Sequence, residues 1–213
     1  MARIPDGILG GFIGTAGNVT GYMRNGKNFV RSKRRKSSKP KSPKRLAQQQ
    51  KIKVCNDFTK AFSGTGFFAK SFPSYGDTGT GYNRATSTIM NLAITGTYPS
   101  TLISYPRVLI SKGPLPCAEN AEVAVDTEGN MLFAWTDNTG IGTAKASDKA
   151  ILVVYFPELK QAITSIGNAT RNEGQAFLET SIMKGNAAET WIGFLSHNEK
   201  NAADSVYTGA VEL

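Results

Sequence analysis

The sequence predicts a mainly β protein: an antiparallel β-sandwich of the immunoglobulin or fibronectin type III kind, preceded by a glycine-rich basic arm and two helices. Three observations predict it. From about Leu102 the apolar residues fall in short runs, at 107–111, 121–126, 130–136, 149–156, 161–166, 175–182, 188–195 and 205–212. Turn formers separate these runs at roughly the 8–12-residue spacing of a sandwich: Gly113-Pro114, Glu128-Gly129-Asn130, Asn138 to Gly142, Pro157, Gly167-Asn168, Asn172 to Gly174 and Gly185-Asn186. The 213 residues include 22 glycines and only 19% charged residues, a composition unlike that of a helical bundle.

The elements follow in order. Residues 1–42 read as an extended arm. Seven glycines lie within 7–26, interleaved with Ile8, Leu9, Phe12, Ile13, Val19, Tyr22 and Met23. Such a segment makes short, closely approaching strands, and it either clasps a neighbouring subunit or packs on its own body. Asn25-Gly26 is a hairpin dipeptide between Val19–Met23 and Lys27–Arg31. Ser42-Pro43 then reads as an N-cap followed by proline at the first helical position. The connecting region 43–101 holds that helix, over about 43–62, with Ala47, Val54, Cys55, Phe58, Ala61 and Phe62 on one stripe. Residues 64–81 read as a loop, and a second helix spans about 82–94 on Tyr82, Ala85, Ile89, Leu92 and Ala93 before Gly96 and Pro99 stop it. Residues 102–213 are expected to form an independent sandwich. Trp135 is placed in its inter-sheet core, with Tyr207 as an edge or corner partner.

The formal net charge of +9 is unevenly distributed. Residues 1–62 hold 15 Lys and Arg against Asp6 and Asp57, whereas 63–213 hold 10 against 14 Asp and Glu. The densest block contains nine cations and no acid: Arg31, Lys33, Arg34, Arg35, Lys36, Lys39, Lys41, Lys44 and Arg45. A block of this density repels itself and stays extended until a polyanion neutralises it. These nine residues are the candidate nucleic-acid or polyanion-binding set, since each neutralised phosphate releases a condensed counterion. Tyr22 and Phe29 flank the block rather than interleave it, so contacts are expected to phosphates more than to bases. An acidic neighbouring subunit is the competing partner.

Enzyme chemistry finds little footing. Gly64-Thr65-Gly66-Phe67-Phe68-Ala69 fits a dinucleotide-loop pattern on paper, but it follows a predicted helix, not a strand, and no helix is expected after it. His197 is the single histidine and is read as a residue of a solvent-facing turn, with no GxSxG elbow elsewhere. Asp126, Glu128, Asp137 and Asp148 are read as turn residues without a calcium-loop pattern. Cys55 and Cys117 form no CxxC pair, which suits a reducing compartment. No catalytic residue, cofactor or metal site is expected. No apolar run approaches the roughly 20 residues of a membrane-spanning helix, and Met1 to Gly7 lack the form of a secretory signal.

Several words of the sequence carry a resemblance. Met1-Ala2-Arg3-Ile4, Gly7-Ile8-Leu9-Gly10-Gly11-Phe12, Gly14 and Gly17-Asn18-Val19 open it. Leu46-Ala47-Gln48, Asn91 to Pro99 and Leu109 to Gly113 continue it, and Trp135 to Asn138, Asp148-Lys149-Ala150 and Ser205-Val206-Tyr207 close it. Together they resemble an uncharacterised Bacteroidota family of unknown function, which implies no catalytic residues. In layout, the arm is also similar to phage-type structural proteins, where a Gly-rich strand, an Arg-containing segment and a Gln-rich helix precede a β-sandwich.

These readings lead to an expected function: a non-enzymatic structural or assembly protein of a virion or other repeating particle. It would be a homo-oligomer or larger assembly, located in the cytoplasm or in the particle, with no membrane partner. Two other readings stand beside it. One is a cytosolic nucleic-acid-binding accessory protein, and the other an adhesin-like sandwich presenting its loops to a glycan or protein.

Overall fold

The chain folds as two units, residues 1–41 and 42–213, and the computed structural model describes residues 2–5, 10–24, 26–34, 40–76 and 79–213. In the first unit β1 (Gly14–Ala16), β2 (Val19–Arg24) and β3 (Lys27–Ser32) form one antiparallel sheet in the order β1-β2-β3. β2 and β3 are joined by two residues, and the second, Gly26, has φ +73°, the left-handed region that such a tight connection needs. Gly21 is required for a different reason. The Phe12 carbonyl and ring lie against its Cα, and a Cβ there would overlap both.

The second unit begins with α1 (Pro43–Thr59), capped as the sequence predicts: the Ser42 hydroxyl accepts from the Arg45 N–H at 3.4 Å and proline occupies the first turn. A 3-10 turn, Lys60–Phe62, extends it. Segment 64–81 is not wholly a loop, because it contains α2 (Phe67–Ser71). Its buried Phe67 and Phe68, with Phe72 just beyond, leave no amphipathic period long enough to read. α3 (Gly81–Leu92) follows, with the Thr80 hydroxyl accepting from the Asn83 N–H at 3.3 Å. β4 (Ile94–Thr95) and β5 (Leu102–Ile103) pair as a short ribbon.

Seven further strands complete the unit: β6 (Glu119–Val125), β7 (Met131–Thr136), β8 (Lys149–Phe156), β9 (Gln161–Thr170), β10 (Gln175–Leu178), β11 (Ala187–Leu195) and β12 (Val206–Glu212). They form two open antiparallel sheets, β10-β7-β6 and β12-β11-β8-β9. Among the described residues the protein is thus mainly β, with 12 strands and three α-helices. Two runs depart from expectation. Residues 107–111 make no strand: Tyr105–Arg107 is a 3-10 turn around Pro106, and the Ile110 N–H donates to the Ser205 hydroxyl at 2.9 Å instead of to a ladder. The run 175–182 stops at Leu178, because the Asn130 carboxamide oxygen accepts from the N–H groups of Thr180 and Ser181, both at 3.2 Å, and turns the chain.

Two cores result. Between the sheets lie Met131, Phe133 and Trp135 of β7, Leu152, Val154 and Phe156 of β8, and Ile192 and Phe194 of β11. On the other face of the four-stranded sheet, Ile151, Val153, Tyr155 and Trp191 meet Cys55, Phe58 and Phe62 of the first helix and its extension, with Ala85 and Ile89 of α3. The unit therefore has three layers: helices, four strands, three strands. β8 is buried on both faces, so its Ile151-Leu152-Val153-Val154-Tyr155-Phe156 run shows no alternation.

Trp135 sits where the sequence puts it, 6% exposed, with its ring edge on Phe194 at 5.7 Å and its indole N–H donating to the Arg171 carbonyl at 2.7 Å. Tyr207 is not its partner. It lies opposite Trp191 in the β11–β12 ladder and so faces the helical core, its ring 5.7 Å from Trp191 and its hydroxyl donating to Glu189 at 2.5 Å. Trp135→Phe keeps most of the packing but leaves that buried carbonyl without its donor. A loss of about 1–3 kcal/mol in urea unfolding is expected. A change within about 0.5 kcal/mol would mean that the bond contributes nothing.

Candidate nucleic-acid interface

The two-residue connection between β2 and β3 fixes which side chains share a face. Thr20 lies opposite Arg31, Tyr22 opposite Phe29 and Arg24 opposite Lys27. Side chains alternate between faces along each strand, so these three pairs form one face, while Val19, Gly21, Met23, Asn28, Val30 and Ser32 belong to the other. On the first face the Tyr22 and Phe29 rings stack, with centroids 5.6 Å apart and planes inclined by 19°. The Arg31 guanidinium carbon lies 5.3 Å from the Tyr22 ring centroid, within cation–π range. Both rings stay exposed, Tyr22 at 37% and Phe29 at 41%. Among the described residues, no carboxylate forms an ion pair with Arg24, Lys27 or Arg31.

The nine sequence-designated cations are distributed as follows. Arg31 closes this face on β3, and Lys33 and Arg34 follow it, exposed. Arg35, Lys36 and Lys39 lie outside the described residues. Lys41 is exposed at the end of the first unit. In the second unit Lys44 and Arg45 are exposed in the first turn of α1. Arg24 and Lys27 were not among the nine, yet the register brings them beside Tyr22 and Phe29. The signal for them is the Asn25-Gly26 turn, which sets the register from sequence alone.

Elsewhere the second unit offers concavities without convergent chemistry. One, of about 350 Å³, is lined by Phe72, Tyr75, Arg84, Lys112, Gly113 and Pro114. The Arg84 guanidinium is committed to backbone, donating to the carbonyls of Phe72 and Gly79. Another, of about 370 Å³, includes Ser147, Asp148, Ser196, His197, Asn198 and Asn201. Here the Ser196 hydroxyl donates to Asn198 at 2.7 Å and accepts from the Asn201 N–H at 2.9 Å, and among the described residues no hydrogen bond joins it to His197. His197 is exposed in the turn after β11.

Of the four turn acids, Asp126, Glu128 and Asp137 are exposed, with Asp126 and Asp137 held below the usual carboxylate range by hydrogen bonds from their own turns. Asp148 is a turn residue as expected, its carboxylate accepting from the Lys145 N–H at 2.9 Å, but it is also buried and ion-paired to Arg171. Among the described residues no three His, Cys, Asp or Glu are placed to hold a metal. The glycine pattern 64–69 does open a helix, α2, with Gly66 at its N-cap, but that helix has five residues and follows a helix instead of a strand. Burial pushes the Cys55 thiol up to about 11, and Cys117 is exposed. No helix among the described residues is long and apolar enough to cross a membrane.

The class these features define is a mainly β chain whose body is two antiparallel sheets, one of them covered by helices, with a basic β-ribbon at its start and no assembled catalytic set among the described residues. The family of unknown function DUF6266 matches residues 11–209, nearly the whole length, and the chain belongs to that family. No curated protein matches it.

Proposed function

We propose that this is a non-enzymatic structural or assembly protein, a component of a virion or other repeating particle, whose basic arm contacts nucleic acid or a neighbouring subunit. One observation carries the reading, and it is the coincidence of charge with fold. Residues 1–41 hold ten Lys and Arg against the single acid Asp6, while 42–213 hold 15 cations and 15 acids. The whole net charge of +9 thus resides in the small first unit, and a unit of such charge attracts a polyanionic partner. In the body, the first, second and fifth of the last seven strands make one sheet and the third, fourth, sixth and seventh the other, an order that suits a fibronectin type III-like sandwich and bears on the fold, not on the function.

A second partner has its own support. The outer face of β10-β7-β6 carries exposed Leu132 and Phe177 side by side, with Glu122 in the next row. An apolar strip with one carboxylate beside it is a candidate seat for the arm of another copy. Light scattering after size-exclusion chromatography, with and without nucleic acid, tests the assembly reading, with electron microscopy of the product. Rings, shells or filaments are expected, and a strict monomer at high concentration in both conditions counts against it.

The nucleic-acid contact has a quantitative signature. If about six of the nine cations engage duplex phosphates, log K falls against log salt with a slope near −5, from roughly −0.9 per phosphate. Replacing Arg34, Arg35 and Lys36 with alanine is expected to flatten the slope by about 2 to 3 without altering sequence preference. Undetectable binding of DNA and RNA at about 50 mM salt sinks this half of the reading.

A further inference from the structure

Resting on the nucleic-acid reading of the arm, we infer that the β2–β3 ribbon is a binding face for single-stranded nucleic acid, with Tyr22 and Phe29 as the base-stacking platform and Arg24, Lys27 and Arg31 as the phosphate contacts. The register is the foundation. Three cross-strand pairs stand in successive rows on one face: Thr20 with Arg31, Tyr22 with Phe29, and Arg24 with Lys27. Rows two residues apart along a strand are separated by roughly 7 Å, from a rise of about 3.4 Å per residue. The aromatic row is therefore flanked by one cationic row on each side, the alternation of base and phosphate that an extended single strand presents.

The side-chain chemistry agrees with the spacing. Tyr22 and Phe29 are already parallel, at 19°, and the Arg31 guanidinium lies over the Tyr22 ring. An incoming base adds to this column as the Arg31 guanidinium turns from the Tyr22 ring to a phosphate, and stacking tolerates any base because every base has a π-face. A duplex lacks the free base faces that such a platform engages. The ribbon's own packing does not absorb these rings, since both remain more than a third exposed. An ordinary hairpin-stabilising pair accounts for Tyr22 against Phe29, but not for three cations on the same face without carboxylate partners among the described residues. Contacts from this face are thus to bases as well as phosphates, while the nine-cation block continues along the backbone.

Fluorescence anisotropy on the full chain tests this, with a labelled oligothymidine of about 16 nucleotides and a duplex of the same length as probes. Tyr22→Leu and Phe29→Leu retain an apolar cross-strand contact and remove the π-face. Each is expected to weaken single-strand binding by about 5- to 100-fold while leaving duplex binding within about 2-fold. Tyr22→Phe and Phe29→Tyr restore near-native affinity. Arg24→Ala, Lys27→Ala and Arg31→Ala together lower binding of both probes and reduce the salt slope. Single-strand binding unchanged in both leucine variants, with duplex binding intact, overturns the stacking face and leaves the arm as a backbone binder. Absence of binding to either probe overturns this inference together with the nucleic-acid reading on which it rests.

Discussion

Asp148→Ala is expected to destabilise the protein by about 3–5 kcal/mol, because it strands the Arg171 guanidinium inside the sandwich. Both side chains are buried, at 0% and 1% exposure, and the Arg171 Nε donates to the Asp148 carboxylate at 3.2 Å. The guanidinium also donates to the Asn138 carboxamide at 2.5 Å and to the Pro116 carbonyl at 3.1 Å, and its central carbon stands 3.8 Å from the Phe194 ring centroid. One arginine thus ties together the approach to β6, the turn after β7 and the approach to β8. Burial pushes its pKa below the usual value, and the neighbouring Asp148 carboxylate works against that shift. Removing the carboxylate removes the compensation, and Asn138 and Pro116 cannot replace a charge. A double variant, Arg171→Met with Asp148→Leu, is expected to recover part of the loss. It cannot recover all of it, since Asn138 and the Pro116 carbonyl then lose their donor. Urea unfolding measures both. A loss under about 1 kcal/mol for Asp148→Ala would mean that water reaches this pair.

This pair also shows where sequence reasoning stops. Asp148 sits between Ser147 and Lys149 after a run of turn formers, and that context reads as a turn, which it is, with no sign of its burial. Nothing local announces an arginine 23 residues away that enters the core, because burial of a charge is decided by tertiary partners. Features carried by local sequence fared differently. The Ser42-Pro43 cap is visible as a dipeptide, the Cys55–Phe58–Phe62 stripe as a helical period, and the strands at 149–156 and 188–195 as near-continuous apolar runs bounded by turn formers. α2 escaped because five residues are too few to show a period. In the arm, the nine cations are legible as composition. The face built from Arg24, Tyr22, Phe29 and Lys27 is legible only once the hairpin register is drawn, since its members lie on two strands.

A fragment of residues 102–213 is expected not to fold as a stable monomer, whereas residues 42–213 unfold cooperatively. The sequence separates the helical region 43–101 from the sandwich, yet the four-stranded sheet has two apolar faces, and only one is covered by β10-β7-β6. The other consists of Ile151, Val153, Tyr155 and Trp191, roofed by Phe58 and Phe62, with the Phe58 ring 4.8 Å from Tyr155 and 6.2 Å from Trp191. Fully burying one large apolar side chain contributes about 1.5–3 kcal/mol. Tyr105 and Tyr207 stay with the fragment and still touch Tyr155 and Trp191, so the four residues are returned to water in part, a loss that is still a large share of the ~5–15 kcal/mol stability of a domain. The exposed face would also be a contiguous apolar patch, which soluble monomers rarely carry. For the shorter fragment, circular dichroism is expected to retain strand signal while losing the aromatic near-UV bands of Trp191 and its neighbours, with strong binding of a hydrophobic dye. Residues 42–213 should show a sharp thermal transition and no dye binding. A sharp transition at the same temperature in both fragments would instead establish that the helices are an independent layer resting on a self-sufficient sandwich.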